Sequence, residues 1–115
     1  MAEQRSGQDL FIELTDKQRL LEIALGELGR RGRENANAEQ AYRIALAQKI
    51  LAERDRKTPV TIISDICRGD REIAKLKFNR DVAEVSYSAA MEAINVYKLA
   101  IKMLDGQINR EWNRS

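Results

Sequence analysis

The chain has 115 residues, 33% charged and 43% hydrophobic, with one proline and aromatics at 5%, a profile of a soluble, helix-rich or coiled-coil chain that excludes a sheet protein or a disordered one. It has no histidine, which removes the commonest general base and the commonest transition-metal ligand together, so no metal and no cofactor is expected. Its single cysteine, Cys67, cannot close an internal disulfide, and neither a secretory apolar core nor a membrane-length apolar run is present, so a cytoplasmic protein without membrane contact is expected.

Net charge is only +2, but it is unevenly spread. Residues 1–28 carry three basic and six acidic side chains, whereas residues 30–57 carry eight basic ones (Arg30, Arg31, Arg33, Arg43, Lys49, Arg54, Arg56 and Lys57) against four acidic. Such a basic stretch reads as a solvated helix face or as a patch for an anionic partner.

In chain order, residues 1–14 read as a flexible N-terminal segment and residues 15–115 as one helical domain. Thr15 and Gln18 have the spacing of a helix-start capping box, after which Leu21, Ala24, Leu25 and Leu28 mark one helical face. Gly26, Gly29 and Gly32 interrupt this pattern, each at a cost of roughly 1 kcal/mol relative to alanine, so residues 29–35 are compatible with either a continuous helix or a loop. Periodicity resumes with Ala41, Ile44, Ala45, Gln48, Leu51 and Ala52, beside a second stripe of Tyr42, Leu46 and Ile50. A face this wide exceeds what one partner helix covers, which predicts self-association into a dimer or tetramer.

Thr58 and Pro59 stop this helix and read as the N-cap and first residue of a short one, in which Val60, Ile62, Ile63, Ile66 and Cys67 recur at helical spacing. A short strand over residues 60–63 is the alternative. Gly69 is placed as a C-terminal glycine and Asp70 as the N-cap of the next helix. That helix carries a core seam with a 3.5-residue period: Ile73, Leu76, Ala83, Tyr87, Ala90, Ile94, Tyr97, Ile101, Leu104 and Ile108, with Arg80 as its one charged member. Arg80 reads as an edge residue paired with a carboxylate across the seam, acting in pairing specificity.

Two arms of similar length joined by a short segment predict an all-α, coiled-coil-like antiparallel helical hairpin with a short helix at the turn, self-associating into a helical bundle. Pairing Arg56 with Asp70 places Gly29 opposite Tyr97, Gly26 near Ala100 and Ile101, and Leu14 opposite Trp112.

No constellation for chemistry accompanies these arms. Glu34, Glu39, Glu53, Glu84 and Glu92 are scattered, Cys67 has no histidine to activate it, and catalytic, cofactor and metal residues are expected to be absent. Arg68-Gly69-Asp70 reads as helix punctuation, and Asn113-Arg114-Ser115 as a merely formal glycosylation acceptor. The residues expected to meet a protein partner are Arg30, Arg31, Arg33, Tyr42, Leu46, Ile50, Arg54, Arg56 and Ile63. Arg30, Arg31 and Arg33, with Arg54, Arg56 and Lys57, also allow a nucleic-acid contact, but no aromatic residue interleaves the first three for base stacking.

The stretches AYRIALAQKILAERDRKTPVTIISDICRGD and FNRDVAEVSYSAAMEAINVYKLAIKMLDGQINREW, within Ala41 to Trp112, resemble a group of small helical proteins of phages and prophages of Gram-positive bacteria. The resemblance implies a non-enzymatic accessory protein in a bacterial host cell. On that basis the chain is expected to modulate a host or phage protein, such as a defence nuclease or a replication or recombination factor. A nucleic-acid-binding accessory and a virion structural component are the alternatives.

Overall fold

A computed structural model describes residues 6–114. Three helices occupy nearly all of them: α1 (Gly7–Asp55), α2 (Val60–Gly69) and α3 (Arg71–Asn113), with no strand among the described residues. The contacts divide the chain into two compact units, one of Met1–Gly29 with Ala89–Ser115 and the other of Arg30–Ser88.

α1 begins earlier than expected. Ser6 is its N-cap: the Ser6 carbonyl accepts from the Leu10 amide at 3.1 Å, and its hydroxyl accepts from the Asp9 amide at 3.1 Å. Residues 7–14, read from sequence as part of a flexible segment, are therefore helical, and Leu10 is buried. Residues 1–5 of that segment lie outside the described residues. Thr15 is no cap; its hydroxyl donates to the Phe11 carbonyl one turn back.

Residues 29–35 are helix and not loop, and no glycine in the chain has positive φ. In the unit Arg30–Ser88 the reason lies at Gly32, where a Cβ would stand 3.0 Å from Cε2 of Tyr87. The aromatic ring occupies the space a side chain would need. Gly26 and Gly29, expected to pack under Tyr97 and its neighbours, have nothing within 4 Å of an added Cβ.

The pairing differs from expectation by one heptad. In this unit Glu39, which the expected register set against Tyr87, meets Arg80 at 3.5 Å, while Lys49 meets Asp70 at 3.7 Å. In the other unit Gly7 lies near Cγ of Glu111, and Trp112, expected against Leu14, is 80% exposed. In the unit Arg30–Ser88, numbers rise along α1 from Gly32 through Glu39 to Lys49 as they fall among its partners from Tyr87 through Arg80 to Asp70.

α1 ends in a Schellman motif: the Lys57 amide donates to the Arg54 carbonyl and the Thr58 amide to the Glu53 carbonyl, both at 3.0 Å. Lys57 supplies the left-handed residue this motif needs, with φ 61°, where glycine is usual. Thr58 thus closes α1 and does not cap α2, whose N-cap is Pro59 without a side-chain bond. Gly69 is the last helical residue of α2 and not a left-handed cap. Asp70 caps α3 as read from sequence, its carboxylate accepting from the Ile73 amide at 3.0 Å.

The core is thin. Ile63, Cys67 and Ile73 are buried in one unit, and Leu10, Ala90, Ile94 and Leu104 in the other. Each large apolar member contributes about 1.5–3 kcal/mol by leaving water. The remaining α3 seam positions, Leu76, Arg80, Ala83, Tyr87, Tyr97, Ile101 and Ile108, are half-buried.

Two substitutions separate the glycines. Gly29→Ala should stabilise the protein by about 0.5–1 kcal/mol, because a helical position with open space gains only from lost chain entropy. Gly32→Leu should cost about 1–3 kcal/mol by overpacking Tyr87. Chemical denaturation midpoints measure both, and equal effects would contradict the Gly32–Tyr87 contact. Lys57→Gly should raise stability by about 0.5–1 kcal/mol in the same assay, through relief of the left-handed strain.

Candidate functional site

The unit Arg30–Ser88 holds most of the charged chemistry. At the end of α1, Glu53 is 5% exposed and its carboxylate accepts from the Thr58 hydroxyl at 2.7 Å. Lys49 stands 3.2 Å away and Arg56 3.7 Å away, and Lys49 also reaches Asp70. The Thr58 hydrogen bond, followed by Lys49, holds the Glu53 carboxyl below its ordinary range against the opposing effect of burial. The Ile73 amide, above all, lowers the Asp70 carboxyl in the same way.

Further along this unit, Glu39 bridges Arg43 at 2.6 Å and Arg80 at 3.5 Å. The Arg80 guanidinium lies 4.6 Å from the Tyr42 ring centroid and bonds the Asp81 carboxylate at 3.0 Å. Asp81 is the main reason its protonated form is favoured beyond the ordinary range. These contacts consume functional groups: nothing in them is arranged as acid and base around a reacting atom.

The residues expected at a partner surface fall into different surroundings. Arg30 pairs with Glu34 one turn on, and Arg31 donates to the Ser86 carbonyl at 3.2 Å, so neither projects with Arg33 as one fork. Arg33 is exposed. Arg56 lies by Glu53, and Ile63, named among the partner residues and also expected to fold back onto the ends of the arms, is 6% exposed, whereas Ile62 beside it is 43% exposed. Ile63 belongs to the core because it lies one helical turn from Cys67 on the inward face of α2.

Tyr42, Leu46 and Ile50 are half-buried, whereas Ile44 and Leu51 of the stripe taken as primary are 50% and 59% exposed. The second stripe is thus the covered one, and of the first only Ala45 is half-buried. Periodicity cannot choose between adjacent apolar stripes, and here Tyr42 is drawn inward by Arg80.

Tyr42, Leu46 and Ile50 form one wall of a groove of about 690 Å³ that is closed by α2 and the start of α3. Ile63, Cys67 and Ile73 lie along its floor, with Arg54, Arg68 and Lys77 among its lining. Reading the sequence missed Arg68 and Lys77 here, because they come from two further helices and no spacing along the chain links them to Arg54. Among the described residues, no group of three or more Cys, Asp or Glu side chains is placed to hold a metal ion, and no helix is long and apolar enough to cross a membrane.

Compared with known proteins, the chain matches no family model, no curated protein and no solved structure.

The two lowered carboxyls set an acid response. Their ordinary values are 4.5 for Glu53 and 3.8 for Asp70, so the stability they contribute is fully present above those values and is lost as the pH falls through the lowered ones. Glu53→Gln should lower the melting temperature at neutral pH and flatten its fall in acid. Thermal melts followed by circular dichroism across this range check both, and an unchanged acid profile would remove Glu53 as its source.

Proposed function

We propose that the chain is a non-enzymatic accessory protein of phage origin that acts in the cytoplasm of a bacterial host cell by occupying the surface of a host or phage protein, such as a defence nuclease or a replication or recombination factor. The observation that carries this reading is the balance of apolar side chains: among the described residues, large exposed ones outnumber buried ones.

Their spacing supports a helical partner surface. In the unit Arg30–Ser88, α3 exposes Phe78, Val82 and Val85 at 67%, 51% and 69%, spaced four and three residues apart. In the other unit it exposes Val96, Leu99 and Met103 at 62%, 60% and 60%, spaced three and four. That alternation is the period of coiled-coil seams. The origin is inferred from the sequence resemblance over Ala41 to Trp112. The fold is read as an antiparallel helical hairpin with α2 at its turn, and a symmetric dimer or tetramer is the simplest closure for its exposed stripes.

Val82→Asp combined with Val85→Asp tests the reading. Both side chains are exposed, so stability should change by no more than about 0.5 kcal/mol per site, while a protein recovered with the tagged wild type from an infected or lysogenic host should be lost. Sedimentation equilibrium of the same variant should show a smaller species than the wild type. Undiminished partner recovery and unchanged mass would overturn the proposal.

A further inference from the structure

We propose that the groove between α1, α2 and α3 is a docking site for an amphipathic helix of a protein partner whose flanks are acidic; this rests on the protein-binding reading above and names the chemistry of one contact. The argument starts from what lines the groove. Leu46, Ile50, Ile63, Cys67 and Ile73 make it apolar, and Val60 stands 77% exposed at its lip.

The charged part of the lining has one sign. Arg54, Arg68 and Lys77 border the groove, no carboxylate does, and among the described residues none of these three cations has an ion-pair partner. Nearby basic residues do find carboxylates, as Lys49 and Arg56 do with Glu53. An apolar strip with unmatched positive borders is complementary to an apolar ridge with negative borders.

Shape then selects a helix. Tyr42 to Arg54 spans about 18 Å along α1 at ~1.5 Å per residue, room for three turns of a partner helix. The three cations come from three different helices, and in the register that sets Lys49 at Asp70, Lys77 lies level with Tyr42, about 18 Å along the axis of α1 from Arg54 at ~1.5 Å per residue. A compact carboxylate or phosphate would engage one of them, whereas a helix with acidic residues on both flanks reaches all three. Nucleic acid fits less well, because its phosphates would leave the apolar floor uncovered and only Tyr42 offers an aromatic face for stacking.

The test uses the full chain and two synthetic helical peptides with the same leucine ridge, one flanked by glutamates and the other by lysines. Cys67, buried on the groove floor and the only cysteine, reports occupancy through its rate of thiol labelling. The glutamate peptide should bind by fluorescence anisotropy and slow Cys67 labelling, both effects weakening with salt, while the lysine peptide should neither bind nor slow labelling.

Arg54→Glu with Arg68→Glu and Lys77→Glu should weaken glutamate-peptide binding by about tenfold or more, as expected for three exposed ion pairs. If that variant loses helicity, Arg54→Gln with Arg68→Gln and Lys77→Gln replaces it, with the same direction expected. Equal binding of both peptides, binding unaffected by either variant, Cys67 protection by single-stranded DNA, or concentration-dependent protection without any peptide would each overturn the proposal. Because the Val82 and Val85 substitutions leave the groove untouched, loss of partner recovery in that variant with no peptide binding here would sink this inference alone.

Discussion

One buried carboxylate holds the end of α1 and, through it, the start of everything that follows. Glu53 engages Thr58 twice, its backbone carbonyl taking the Thr58 amide and its side chain taking the Thr58 hydroxyl. A charge so far out of water is costly unless paired, and Lys49 and Arg56 supply the pairing. Lys49 then passes the constraint on to Asp70, the residue that both closes α2 and caps α3. Turn, cap and salt bridge are thus one connected set of contacts, and the strained Lys57 is tolerated inside it because the Schellman bonds over-determine its backbone.

This polar bracket has a consequence for what is left outside. In the unit Arg30–Ser88 the half-buried positions of α1 include Arg31, Asn35, Glu39, Tyr42 and Lys49, a face rich in hydrogen-bonding groups. Ile44 and Leu51 are left to solvent. Mixed polar contacts specify one alignment where a purely apolar seam would accept several, and they do so at the expense of apolar burial. The apolar side chains displaced from the interior become surface, and that surface is what the proposed partner binding draws upon. The groove beside α2 is the place where apolar floor and unmatched cations coincide, so it is the part of the surface with the most definite chemical preference.

Helix content, the 3.5-residue seam of α3 and the Asp70 cap were all legible in the amino-acid sequence, because each depends on residues within a few turns of one another. Periodicity over Ile73 to Ile108 needs no knowledge of a partner to mark the inward face. The same locality explains the failures. Ser6 gives no cap signal in the sequence, because polar residues and Gly7 surround it and read as a flexible terminus, so the helix start falls on Thr15 instead. Thr58 before Pro59 reads as a helix start by local chemistry, yet its hydroxyl is claimed by Glu53 from the preceding helix.

Register and face were decided by tertiary structure. A seam that repeats every seven residues looks the same after a slip of seven, so the apolar pattern could not tell Glu39 against Tyr87 from Glu39 against Arg80. The choice was made by contacts the pattern does not encode: the Tyr87 ring over Gly32, the Arg80 guanidinium between Glu39 and Tyr42, and the reach of Lys49 to Asp70. The sequence by itself determined that these helices form and which side of α3 turns inward, since hydrophobic periodicity is a local property. Only the tertiary structure decided which α1 stripe is covered and which cations gather around the groove, since both depend on charges and ring contacts between residues far apart in the chain.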